Sequence, residues 1–233
     1  MASMNTGGTD PRRDAFDVAL REITGRADRR DPVLARTGGP AGNARLTAWT
    51  GLVLLILLAI EGATLLDVGG LISWHLIVGL LLVPPAILKV GTTGWRIVRY
   101  YTGDTAYRQA GPPQVLLRVL GPLVVLFTLL LLATGILLTI EGPSRGDSGV
   151  LGLPVSAMFL HQASFFAWVV VMTVHVLART VSATKIVTGR VIPGASVPGR
   201  GTRIGVLLVM AASSVVLAAL LAGPWISQWQ QTG

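Results

Sequence analysis

The chain has 233 residues, 52% of them hydrophobic, with a mean hydropathy of +0.66 and a formal net charge of +8. That balance belongs to an integral membrane protein and excludes an ordinary soluble domain. The absence of cysteine excludes disulfides, thiolate-held clusters and thioether-linked cofactors, so any redox centre must be held without a covalent tether.

In chain order, residues 1–45 are polar and rich in Gly, Arg and Asp, with no apolar core of a signal peptide. They read as a largely flexible basic tail, with a short amphipathic helix over 14–23. Five stretches then follow that are apolar enough to cross about 30 Å of hydrocarbon: 46–66, 71–90, 119–140, 155–180 and 204–223. The expected fold is an all-α membrane protein. Residues 46–180 form a four-helix bundle from a duplicated hairpin, 181–203 a cytoplasmic loop, and 204–233 a fifth helix with a short external tail.

Charge sets the orientation. Of the 19 Lys and Arg, all but Arg145 lie in the tail or in and beside the loops after the second and fourth stretches. The opposite side carries Glu61, Asp67, Glu141 and Asp147. Positive loops stay inside, which puts the N-terminus in the cytoplasm and the C-terminus outside. The basic excess therefore reads as topology and attraction to anionic lipid, with no nucleic-acid partner.

Two strings nearly repeat: Leu57-Leu-Ala-Ile-Glu61-Gly62 and Leu137-Leu-Thr-Ile-Glu141-Gly142. His75 and His161 open the second and fourth stretches and lie 86 positions apart, and the same shift carries Lys89 onto His175. His161 and His175 are fourteen residues apart, which on a helix means roughly 21 Å and nearly one face. Histidine inside a lipid-spanning helix is costly, so a functional reading is the default.

The second and fourth stretches run in one direction, so His75 and His161 share an outer level and Lys89 and His175 an inner one. This arrangement suits two b-type haems, the outer with bis-His ligation. Gly79, one turn after His75, would leave space for the porphyrin. The inner partner is open. Lys89 can lose its proton when buried and ligate, yet a cation snorkelling at a helix end is the ordinary account. Met210 or a vacant sixth position are the other choices. The plain alternative for the histidines is hydrogen bonding between helices.

These residues give the chain a resemblance. Trp74-His75, the His161/His175 pair, the stretch Leu88-Lys89-Val-Gly-Thr-Thr-Gly94-Trp95-Arg96-Ile-Val-Arg99-Tyr100-Tyr101, Gly111-Pro112-Pro113 and Leu117-Arg118 are similar to bacterial di-haem b-type cytochromes. Those are membrane subunits of hydrogenases, formate dehydrogenases and molybdenum oxidoreductases, here of a subgroup with Lys at the inner level. The likeness covers roughly residues 46–180. It implies His75 with His161 on the outer haem and His175 on the inner one. A fourth histidine is lacking. Arg96 and Arg99 are candidates for the inner propionates, with helix-end lipid contact the equal alternative; Trp95, Tyr100 and Tyr101 read as an interfacial belt.

Glu61 and Glu141 border the outer level and read first as solvated helix ends, with proton acceptance from quinol the sharper alternative. The expected function is electron transfer across a bacterial inner membrane, between a quinone pool and a partner redox protein, with membrane lipid as surroundings. A stand-alone haem oxidoreductase acting on superoxide and quinone is a second possibility. A haem-free transporter or structural membrane protein is a third. The Arg-heavy, Lys-poor composition points to a GC-rich bacterial genome.

Overall fold

The computed structural model describes residues 16–17, 20–21, 31–112, 115–143, 149–150, 154–189 and 196–230. Most of the tail, Arg145, Asp147, Pro113 and the C-terminal three residues lie outside the described set. So does most of the amphipathic helix expected over 14–23, of which only residues 16–17 and 20–21 are described, and they are helical.

From residue 31 on, the described residues form five long helices and one short one: α1 Gly39–Thr64, α2 Val68–Tyr101, α3 Thr105–Gln109, α4 Val115–Glu141, α5 Ala157–Val187 and α6 Arg200–Gln230. There is no strand among the described residues; a single bridge joins Gly149 to Ser156. Four segments are long and apolar enough to cross a membrane: 39–101, 118–141, 157–187 and 200–229. The first of these holds α1 and α2, which a 3-10 turn at Leu65–Asp67 joins and which pack against each other.

The ends of the helices follow from local chemistry. The Asp67 carboxylate accepts from the Gly70 amide at 3.0 Å and Ser156 Oγ from the Phe159 amide at 3.1 Å, each satisfying an amide that the first helical turn leaves bare. Gly142 ends α4 at φ 72°, a left-handed conformation that a side chain would strain. Pro84 and Pro85 sit inside α2 without ending it; membrane helices tolerate proline because neighbours take up the freed carbonyls. Each of the five long helices overruns its expected stretch at one end or both, while α1 stops two residues before 66 and α5 starts two residues after 155. The extra turns carry polar and charged residues such as Arg96 and Lys185, which a hydropathy window trims although the backbone hydrogen bonds continue.

The chief packings join α1 to α2, α2 to α6 and α4 to α5, with smaller ones between α1 and α5, α1 and α6, and α2 and α4. Leu80 on α2 meets Ala218 and Ala222 on α6, and small residues there allow close approach. Leu138, Val150 and Ala157 form a second cluster with Trp229 against it. Large apolar side chains stay exposed along every long helix, among them Leu55, Ile87, Leu129, Val170 and Val216, which is what a lipid-facing surface requires.

Two ends can be told apart. Glu61, Asp67, His75, Glu141, His161 and Trp229 share an acidic end, linked by the His75–His161 and Trp229 contacts. Asp31, Lys89, Arg96 and Arg203 share a basic end, where Asn43 Nδ2 donates to the Thr92 carbonyl at 3.0 Å and a Cβ on Gly42 would touch Arg203.

Candidate functional site

α2 leaves the Leu65–Asp67 turn and α5 leaves the Ser156 cap at the same end, so His75 and His161 arrive at one depth on different helices. Their ring centroids stand 6.3 Å apart with planes crossed at 82°. Although these two side chains meet, α2 and α5 form none of the main packings among the described residues. The backbones leave a gap that the imidazoles enter from either side.

Each ring is held by a threonine. Thr64 Oγ1 donates to the Glu61 carbonyl at 2.6 Å, and Thr134 Oγ1 donates to the Leu130 carbonyl at 2.7 Å. A hydroxyl has one proton. With that proton committed, Thr64 Oγ1 must accept from His75 Nδ1 at 3.0 Å and Thr134 Oγ1 from His161 Nδ1 at 3.1 Å. This assignment of the hydroxyl protons puts the imidazole proton on Nδ1 and leaves the Nε2 lone pair available, the tautomer that a metal-bound histidine uses when its other nitrogen is anchored. The Glu61 carboxylate adds a second acceptor 3.1 Å from His75 Nδ1. His161 instead lies over Gly135, where a Cβ would come within 3.2 Å of its Cε1.

The separation has a chemical meaning. A metal–imidazole bond of about 2.0 Å, with the ring centre about 1.1 Å behind the nitrogen, places two trans imidazoles at about 6.2 Å between centroids. At the observed 6.3 Å, His75 and His161 are the residues that would hold one metal-bearing group between them, were their free nitrogens turned toward each other. Among the described residues no group of three or more His, Cys, Asp or Glu is placed to hold a metal ion.

Gly79 is less directly involved than its spacing suggests. The neighbour of a Cβ there would be Glu61 Oε1, at 3.7 Å, so it faces the carboxylate that holds His75. Glu61 and Glu141 each have a buried Oε2 without a partner, and neither is the solvated helix end expected from sequence.

At the basic end, His175 Nδ1 is buried with no hydrogen-bond partner. Lys89 and Arg179 lie near enough for their charges to act on it. Lys89 Nζ reaches α1 and donates to the Thr47 carbonyl at 2.7 Å, passing over Gly51, whose absent Cβ would stand 2.8 Å from that nitrogen. Arg96 grips Asp31 with two bonds of 2.6 and 3.1 Å. Arg99 holds Asp104 at 2.5 Å and stacks over Trp95 at 5.3 Å. Both expected propionate partners thus already carry a carboxylate of the chain. Met210 is buried on α6, which packs on α2 and α1 rather than α5, away from His175.

Thr64, Thr134, Gly135 and Arg179 escaped the sequence reading. Thr64 precedes His75 by 11 positions and Thr134 precedes His161 by 27, so no shared offset marks them. Compared with family models, curated proteins and solved structures, the chain has no match in any of the three.

Proposed function

We propose that this chain is a di-haem b-type cytochrome whose five long helices each cross the membrane, with the N-terminus cytoplasmic and the C-terminus external. The carrying observation is the His75–His161 pair: two imidazoles at 6.3 Å, each with Nδ1 tied to a threonine and Nε2 left for a metal. Bis-His ligation of an outer haem by these residues is the chemistry the pair suits. Bound there, haem b supplies reversible one-electron transfer.

The chain's own part is to hold and tune. Thr64 and Thr134 orient the two rings, and Glu61 strengthens the hold on His75. At the inner level, His175 is the candidate ligand, since its buried Nδ1 lacks a partner among the described residues. Lys89 is its candidate companion once its bond to the Thr47 carbonyl is released. With levels roughly 21 Å apart along α5, electrons would pass between a quinone pool and a partner redox protein across the bacterial inner membrane. The quinone and the partner rest on the family resemblance alone.

The deciding experiment is the haem b content of the detergent-purified chain, read from the pyridine haemochrome spectrum. Two haems per chain are expected, falling to one in His161→Ala and, separately, to one in His175→Ala. A folded, colourless chain made with ample haem would overturn the reading.

A further inference from the structure

Among the described residues, the inner level carries more positive than negative charge. Arg179 sits four residues after His175 on α5, one helical turn closer to the basic end and on nearly the same face. It is partly buried, and its charge acts on Lys89 and His175 while Arg96 and Asp31 act on it. The one carboxylate of that group, Asp31, is gripped by both guanidinium nitrogens of Arg96. Arg179 forms no ion pair among the described residues. The Lys89 ammonium has three donors and a single acceptor, the Thr47 carbonyl. Among the described residues, three cations (Lys89, Arg96 and Arg179) thus share the single carboxylate of Asp31, which Arg96 already holds, and cations withdrawn from water need a counter-charge.

We infer that Arg179 and Lys89 form an oxyanion-binding site at the basic end of the gap between α2 and α5. The guanidinium offers a planar fork matched to a carboxylate or phosphate, and the ammonium a point charge beside it. Two sources supply such an oxyanion: the propionates of an inner haem and the phosphate of an anionic lipid. The propionate form rests on the cytochrome reading. A haem seated at His175 with its propionates toward the basic end would turn them to Arg179, one turn on. The lipid form stands without any haem.

The test uses the full chain in nanodiscs, as wild type, Arg179→Gln and Arg179→Lys. Redox titration gives the midpoint of the haem that His175→Ala removes, and native mass spectrometry gives the phosphatidylglycerol retained against a phosphatidylcholine background. A lower midpoint in Arg179→Gln, with Arg179→Lys closer to wild type and lipid retention unchanged, supports the propionate occupant. Lost phosphatidylglycerol with an unmoved midpoint supports the lipid phosphate. Both readouts unchanged in a chain that keeps its outer haem spectrum overturn the site. If Arg179→Gln does not assemble, Lys89→Gln takes its place with the same two readouts, because it removes the other cation of the site. A haem-free wild type would sink the cytochrome reading while leaving the lipid readout valid.

Discussion

At the residue scale, the tautomer of the two outer histidines is the most consequential detail. A Thr134→Val change keeps the shape of the side chain and removes the acceptor for His161 Nδ1. An unpaired buried donor costs about 1–3 kcal/mol, and a ring no longer polarised through Nδ1 is a weaker base toward iron. The expected outcome is retained haem with a raised outer midpoint, and Thr134→Ser should restore the wild-type value. An unchanged midpoint in Thr134→Val would mean the threonine is packing and nothing more. Thr64→Val should have a smaller effect, because Glu61 remains 3.1 Å from His75 Nδ1. The histidines themselves were legible from sequence, since polar residues stand out in an apolar run. Their threonines were not: a Thr hydroxyl bonded back to its own helix is ordinary in membrane spans, and only the fold shows which of them also meets a ring.

At the element scale, the repeated hairpin points to the meeting of His75 and His161 but not to their local partners. His75 and His161 do come together, as the 86-residue offset implied, yet one is braced by the last residue of α1 and the other from within α4. The offset that relates Glu61 to Glu141 would carry Thr134 back onto Leu54. Two glycines mark where helices admit a functional side chain rather than where they turn. In Gly51→Ala the new methyl would stand 2.8 Å from Lys89 Nζ, a flexible end that can move, so the fold should survive while the bond to Thr47 is lost. If Lys89 ligates the inner haem, the spectrum of that haem changes in Gly51→Ala as it does in Lys89→Ala. If both variants keep the wild-type spectrum, Lys89 is no ligand. Gly135→Ala presses on His161 Cε1 at 3.2 Å and should disturb the outer haem alone.

At the scale of the whole molecule, hydropathy located every long helix but set most of the boundaries too close to the membrane core, because helices persist into the headgroup layer where charged residues lower the average. Charge asymmetry makes a sharper statement, one the fold carries through: Glu61, Asp67 and Glu141 cluster at one end, Lys89, Arg96 and Arg203 at the other. If that asymmetry reflects positive-inside insertion, the Leu65–Asp67 turn faces outward and α3 inward. The lack of cysteine makes this directly readable, since a single introduced thiol has no competitor. Leu66 is 88% exposed in the turn, and Arg108 is exposed on α3. In intact spheroplasts an impermeant maleimide should label Leu66→Cys and spare Arg108→Cys until the membrane is opened. Labelling of both before lysis would mean that α1 and α2 do not form a membrane-crossing hairpin. The reverse pattern would invert the protein, placing the His75–His161 level on the cytoplasmic side and reversing which aqueous phase each proposed haem faces.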